Sequence, residues 1–484
     1  MNEAEAGAGF DAWVNGLVAP LADGLSRVIF FEVPVLGAQL PLVVLWLVVG
    51  AVWFTVYFRF INVRGFLRAL RIVSGREDTS ATHGEVSHFQ ALTTAVSGTV
   101  GIGNIGGVAV AISLGGPGAA FWLVVAGLLG MSSKFVECTL GVIYRRENED
   151  GSVSGGPMYY LSRGLAQRGL PRLGRVLGAF YAAGIVIGCM GIGNMFQSNQ
   201  AFVQLVTVTG GPEQSFLADK GWLVGTVMAL LVGVVIVGGI RSIARVTEKV
   251  VPFMAVLYLV GCAVILTMNA EALPFAFKAI VTQAFSTDAV AGGALGVLIL
   301  GFKRAVFSNE AGLGSATIAH AAVRTDEPMT EGLVALLEPF IDTVVICSAT
   351  ALVIVTTLYY EPEFFAAGLG GVEMTSAAFA RNLDWSPVVV AVAALLFAFS
   401  TMLSWSYYGL KGWTYLVGHG TRRMLGFNAV FCLFVALGCM VELKAILDFS
   451  DAMVFVLCVP NVFGLYVLAP VVRRELAAYH SRQG

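Results

Sequence analysis

Charge is scarce in this chain. Asp, Glu, Lys and Arg make up 12 % of its 484 residues, against 57 % hydrophobic residues. A soluble domain carries about twice that charged share, so one water-facing globule is excluded. The two signs nearly cancel, leaving a formal net charge of −2. No basic patch interleaved with aromatics is present, which argues against nucleic-acid binding. The five histidines, His83, His88, His320, His419 and His480, fall at the ends of apolar runs or between them, so no histidine relay through the core is expected. The seven cysteines form no Cys-x-x-Cys pair and lie almost entirely inside apolar runs. They read as small packing residues, with no metal or disulfide framework. There is no His-Glu-x-x-His motif, no Walker-type loop and no Ser/His pairing at depth, so neither an enzyme nor an ATP-driven pump is expected. The opening MNEAEAGAGF lacks a basic region before an apolar core, and no cleaved signal peptide is expected.

What the chain has instead is long apolar runs from end to end. Segments of about twenty residues suit a bilayer crossing, and eleven are found, near 40–58, 87–113, 118–144, 176–208, 221–240, 248–269, 289–318, 332–358, 387–416, 424–442 and 452–472. The expected class is an all-α polytopic membrane protein. Phe10 to Phe31 mixes Trp13, Leu17, Leu21 and Leu25 with Asp11, Asp23 and Arg27, and reads as an amphipathic helix lying in the interface. Arginine then sets the sidedness. Arg59, Arg64, Arg68, Arg71 and Arg76 follow the first span, and Arg145, Arg146, Arg163, Arg168, Arg172 and Arg175 follow the third. Arg241 and Arg245, Arg324, Arg422 and Arg423, and Arg473 and Arg474 follow later odd-numbered spans. The alternate loops are poor in cations, so the N-terminus is expected outside and the C-terminus in the cytoplasm.

One span followed by ten divides the last ten into five and five, and an odd number per half inverts the second half. The expected organisation is an interfacial segment 1–36, an extra span 37–60, repeats 87–270 and 289–472, and a tail 473–484. The first span of the first repeat contains Ser97-Gly98-Thr99-Val100-Gly101-Ile102-Gly103-Asn104-Ile105-Gly106-Gly107, five glycines in eleven residues. Each weakens a helix by about 1 kcal/mol relative to Ala. Freed backbone groups find no water in lipid, so an unwound stretch there must face protein or a polar cavity. The first span of the second repeat is expected to be interrupted over Gly301 to Ser315. Paired broken helices are the strongest sequence pointer to a transporter site.

The runs GEVSHFQALTTAVSGTVGIGNIGGVAVAISLGGPGAAFW, GLLGMSSKFVECTLGVIYR, GGPMYYL, GNMFQSNQ, FKRAVFSNEAGLGSATIAHAA and FAFSTMLSWSYYG resemble the alanine or glycine:cation symporter family. The resemblance extends from about Phe58 to Val471. It implies a LeuT-type five-plus-five fold with an extra N-terminal helix, in a bacterial-type inner membrane. It also implies import of a small neutral amino acid with co-transported sodium. Ser97-Gly98 replaces a commoner Ala pair, Thr317 stands where proline is usual and Leu410 where glutamate is frequent; these departures bear on the substrate side chain.

A zwitterionic substrate needs donors for its carboxylate and acceptors for its ammonium. The half-helix after the first break starts around Ile102, Gly103 and Asn104, and its free N–H groups suit a carboxylate. The half before it ends near Ser97, Thr99 and Val100, whose carbonyls suit an ammonium or sodium. A small-residue packing stripe is the alternative for such glycines, Gly106 and Gly107 above all, while binding is the preferred reading of Thr99 to Asn104. Asn194 and Gln197 lie one turn apart on the fourth span, where buried amides need partners; substrate contact and an interhelical hydrogen bond are both open, with Gln197 the preferred contact. Ser400 and Thr401 on the ninth span offer hydroxyls to a hard cation, or merely bond back to their own helix. The resemblance implies that this pair joins the Ser97 and Val100 carbonyls around sodium, that the Asn104 amide oxygen faces sodium or substrate, and that Phe307 and Trp405 wall a small pocket. Lys134 and Glu137 have a pairing interval, Lys303, Arg304 and Glu310 bracket the second break, and structural or gating ion pairs are expected of them. Asp342 is set apart as a second-cation ligand, Glu338 lying one turn before it. Proton coupling through Asp342 or Glu310 is the alternative to sodium, and a passive channel is a further one.

Overall fold

A computed structural model describes residues 24, 26–35, 38–76, 84–149, 151–286, 293–359 and 371–482. Most of the amphipathic segment expected over 10–31 lies outside them, as does His83. We label the apolar helices α1 Leu42–Tyr57, α2 His88–Thr99, α3 Val108–Gly115, α4 Gly118–Ile143, α5 Pro171–Val208, α6 Gly221–Ile236, α7 Gly239–Met268, α8 Gly293–Asn309, α9 Pro328–Thr357, α10 Pro387–Val417, α11 Thr421–Gly438 and α12 Leu443–Ser481. Seven helices among the described residues are long and apolar enough to cross a bilayer, and α2 with α3 makes an eighth, bent by 51°. Each expected apolar run falls on helix, but α1 and α6 are short and α8 ends at the second break, so the count of eleven crossings does not follow from length alone.

The ends of these helices follow from local chemistry. Ser87 caps α2 through a capping box: its hydroxyl accepts from the Gln90 N–H at 3.2 Å, and Gln90 accepts from the Ser87 N–H at 3.1 Å. Proline opens α5, α9 and α10, where its missing N–H costs nothing. α7 starts at Gly239, so Arg241, Arg245 and Lys249 stand on its first turns instead of in a loop. Two short hairpins, Glu32–Val35 with Ala38–Pro41 and Arg146–Glu147 with Val153–Ser154, were not expected from an all-helical reading.

Helices pack through small residues. A Cβ on Gly127 would stand 2.8 Å from Thr343, and one on Gly332 2.0 Å from the Thr139 hydroxyl, which brings α4 and α9 into backbone proximity. The periphery is apolar. Phe253, Val256, Val260 and Val264 form an exposed stripe on α7, as Val227, Leu230, Leu231 and Val234 do on α6. That arrangement suits hydrocarbon, not water. Six cysteines are buried and Cys432 is partly so.

Candidate transport site

The first break is narrower than the glycine run. α2 continues through Gly98 and Thr99, the backbone leaves the helix at Val100 (φ −75, ψ 85), and a π-helical turn over Gly103–Gly107 leads into α3. Such turns collect at functional sites. The Asn104 side chain folds back over the gap, accepting from the Gly101 N–H at 2.9 Å. Gln197 arrives from α5: its Oε1 accepts from the Ile102 N–H at 3.1 Å, and its Nε2 donates to the Ile192 carbonyl at 3.0 Å. Gly101 must stay bare, because a Cβ would meet Thr401 Oγ1 at 2.8 Å and Gln197 Oε1 at 3.0 Å. At Gly103 a Cβ would find only ordinary contact, with Phe307 at 3.5 Å. Thr99 turns its hydroxyl to its own helix, donating to the Val96 carbonyl at 3.2 Å.

Carbonyls released by the break point at α10. The Thr401 hydroxyl donates to the Ser97 carbonyl at 2.9 Å and lies 3.5 Å from that of Val100. Ser400 donates to the Phe397 carbonyl at 3.1 Å. The Ser97 hydroxyl donates to the Ser400 carbonyl at 2.9 Å and shares a 2.6 Å bond with Ser404. The Thr401 hydroxyl and the two first-break carbonyls thus form a small uncharged oxygen cluster of the hard donors a cation takes, while the Ser400 hydroxyl bonds back to its own helix and lies 3.4 Å from Met254 Sδ.

The second break is also shorter than expected. Gly301 to Asn309 is helical, and the chain unwinds only at Glu310, which is buried with φ 57, before Thr317–His320 resumes the helix. Trp405 joins the two breaks: its indole N–H is 3.2 Å from the Gly98 carbonyl and 3.1 Å from Glu310 Oε1. The other Glu310 oxygen accepts from Ser315. Phe307, edge-on to Phe196 with centroids 5.4 Å apart, forms a second wall. Trp405 is seated on Gly193, where a Cβ would fall 1.9 Å from its Cγ. Overpacking of this kind costs about 1–3 kcal/mol. Gly193→Ala is therefore expected to lower the thermal unfolding midpoint and to weaken substrate binding together; a variant unchanged in both would contradict this seating.

Asp342 sits where the breaks meet, in a π-helical stretch of α9, Phe340–Cys347. Its Oδ1 accepts from Asn104 Nδ2 at 2.6 Å, and its Oδ2 accepts from Ser308 at 2.9 Å and Thr343 at 2.6 Å. Asn309 donates to Thr343 at 2.9 Å. The carboxylate is fully buried and each of these partners is neutral. A buried carboxylate without a counter-charge is costly, and these neutral donors offset only part of that cost.

Sequence comparison bears directly on this geometry. The profile described as the sodium:alanine symporter family matches residues 29–484. The chain belongs to the sodium:alanine symporter family. The sodium/alanine symporter AgcS of Methanococcus maripaludis is 37 % identical over 442 residues, covering 91 % of this chain and 94 % of that one. The probable sodium/glutamine symporter GlnT of Bacillus subtilis is 32 % identical over 441 residues, covering 90 % and 87 %. The crystal structure of MhsT in complex with L-phenylalanine shares the fold, with a TM-score of 0.57 at 14 % identity over 80 % of this chain and 89 % of that one. Members of this family are secondary transporters, not enzymes.

Within this family member, several expected roles are relocated. Asn194 does not reach the first break: its Nδ2 donates to the Phe431 carbonyl of α11 at 2.8 Å, an interhelical bond. Asn104 turns its amide oxygen to the Gly101 N–H, which takes one of that oxygen's two lone pairs, and its nitrogen to Asp342. Lys134 pairs with Glu338 at 2.8 Å and not with Glu137, which accepts from Gly312 N at 2.9 Å and Asn461 at 2.8 Å. Lys303 and Arg304 both meet Asp451, at 3.0 and 2.6 Å. His88 and His320 stand at helix ends as expected, but both are buried and both bond Glu331. Ser308, Gly193 and the Phe397 carbonyl had no place in the sequence reading. One signal was available, because Gly-Ile-Gly-Asn occurs at 101–104 and again at 191–194, and both copies lead into π-helical turns beside the aromatic walls.

Proposed function

We propose that the chain imports a small neutral amino acid, alanine or glycine, with sodium by alternating access. The observation that carries this reading is the pair of breaks bridged by Trp405, with an uncharged oxygen cluster on one side and Asp342 on the other. The substrate carboxylate takes the Ile102 N–H in place of Gln197 Oε1, with help from the neighbouring helix dipole. Gln197 Oε1 is then free to accept from the ammonium. Phe307 and Trp405 limit the side chain, since both are buried and Phe307 already lies close to Gly103. Sodium takes the carbonyls of Ser97 and Val100 with the Ser400 and Thr401 hydroxyls, joined by the Phe397 carbonyl, and a second cation sits at Asp342. The halves are assigned to 87–270 and 289–472, with the arginine-bearing loops and the C-terminus in the cytoplasm. The Lys303, Arg304 and Asp451 cluster closes the outer route.

The test is equilibrium binding of labelled alanine to purified protein, with and without sodium, in competition with glycine, serine and glutamine. Sodium-dependent binding displaced by alanine or glycine supports the reading, and sodium-independent binding overturns it. Gln197→Ala is expected to weaken binding by about ten- to a hundredfold, the range for losing a hydrogen bond to a charged group. Unchanged affinity would remove Gln197 from the site.

A further inference from the structure

A row of ionisable side chains crosses the buried interior beside the transport site. His88 Nδ1 on α2 lies 2.5 Å from Glu331 Oε2 on α9. Glu331 Oε1 lies 2.6 Å from Nδ1 of His320, and His320 Nε2 faces Glu338 Oε2 at 3.7 Å. Glu338 Oε1 accepts from Lys134 on α4 at 2.8 Å. Lys134, His320, Glu331 and Glu338 are fully buried, and His88 is nearly so.

The geometry at His320 is the decisive part. A neutral imidazole has one N–H, and its other nitrogen is an acceptor. Here each ring nitrogen faces a carboxylate, and a carboxylate without a proton only accepts. One further proton is needed, on the ring or on a carboxylate, for both contacts to be attractive. Charge points the same way. Lys134, paired with Glu338, is the one fixed cation in a row that holds two carboxylates, Glu331 and Glu338, so an added proton brings the set to neutrality. The flanking groups do not supply it. Glu137, Glu310 and Cys138 face Lys134, Asp342 faces Glu338, and Arg145 divides its charge among Glu331, Glu147 and Asp326.

This row lies behind the seam that shuts the arginine-bearing face. Val86, just before α2, bridges to Val323, with Glu85 N donating to the Ala322 carbonyl at 2.7 Å and Arg324 N to the Val86 carbonyl at 2.8 Å. Arg145 donates to the carbonyls of Val323 at 2.7 Å and Thr325 at 2.9 Å. The His88–Glu331–His320 contacts tie two of these pieces of chain, the start of α2 and the segment after the second break, to α9.

We propose that His320, held between Glu331 and Glu338, is a proton-binding site distinct from the sodium sites, and that the bound proton holds the cytoplasmic seam closed. Its loss leaves two buried carboxylates against one lysine, and the seam loosens. Substrate release to the cytoplasm is thereby favoured as cytoplasmic pH rises. The proposal rests on the transport reading and orientation given above.

The test uses the full chain in liposomes, with Val323→Cys as a reporter modified by a membrane-impermeant maleimide from the arginine-bearing side, against the same protein without the reporter. Modification is expected to accelerate with pH beyond the reagent's own dependence, by up to about tenfold per pH unit while the site titrates. In His320→Gln, which keeps one donor and one acceptor but cannot titrate, that excess is expected to vanish. Equal pH dependence in both proteins would overturn the proposal. If His320→Gln does not fold, nitrogen-15 spectra of histidine-labelled wild-type protein decide. An imidazolium with both ring nitrogens protonated at neutral pH, still present in His88→Gln, supports the site; neutral rings for the buried histidines overturn it. Sodium-dependent alanine binding measured on the same samples keeps the two readings apart, because loss of sodium dependence strikes the transport reading and a flat pH response strikes this one.

Discussion

Asp342→Asn is expected to raise the sodium concentration needed for half-maximal alanine uptake by about a thousandfold, in effect abolishing concentrative transport. The substitution keeps the shape and one acceptor oxygen for Asn104, Ser308 or Thr343, and removes the charge. Two unit charges at 4 Å with an effective dielectric of 20 attract by about 4 kcal/mol, which is about a thousandfold in binding. The donors that reach the aspartate, Asn104, Ser308 and Thr343, are all neutral, which leaves its charge for the mobile cation proposed above. Folding is expected to survive, because a buried amide can still accept from Asn104 and turn its own N–H to the Ser308 or Thr343 hydroxyl, at lower desolvation cost than a carboxylate. A variant whose sodium requirement stayed within about threefold of wild type, well under the 1.4 kcal/mol of a tenfold change, would remove Asp342 from cation coupling.

Thr401→Ala acts on the other cluster. The Thr401 hydroxyl is the α10 group that spans both released carbonyls, at 2.9 Å from Ser97 and 3.5 Å from Val100. Losing one hydroxyl ligand to a cation is worth about 1.5–3 kcal/mol, so the sodium requirement is expected to rise about ten- to a hundredfold. Alanine affinity at saturating sodium should change little, since the substrate's carboxylate and ammonium are served by Ile102 and Gln197. Sodium titrations of uptake at fixed alanine separate the two quantities. An unchanged sodium requirement would show that this cluster is a packing contact and nothing more.

Much of this was legible before any coordinates. Apolar runs mark the helices because the bilayer enforces one length and one backbone solution. The glycine run and the residues around Ser308 locate the breaks, and Ser97, Val100 and Thr401 do come together. What failed had physical reasons. The breaks are shorter than their glycine and polar composition suggests, because Gly98 and Gly301 serve packing: a Cβ on Gly98 would meet Tyr408 at 3.0 Å, and one on Gly301 would meet Trp122 at 2.6 Å. Asn194 and Gln197 share a face at one-turn spacing, yet the π-helical turn at Gly191–Met195 re-aims them, one to α11 and the other to the first break. Lys134 and Glu137 sit at a pairing interval that a surface helix would use. In the packed interior, partners from α9 and α12 compete and win. The position of His320 at the end of an apolar run says nothing of its cover, and neighbouring helices bury it completely.

The central claim is that a sodium gradient drives amino-acid accumulation through the two bridged breaks. It is tested most directly by labelled alanine uptake into proteoliposomes, with sodium and proton gradients imposed separately. An inward sodium gradient at equal pH is expected to drive accumulation above equilibrium, and collapsing that gradient should release the alanine. Accumulation that followed the proton gradient and ignored sodium, or uptake that never exceeded equilibrium, would contradict the account.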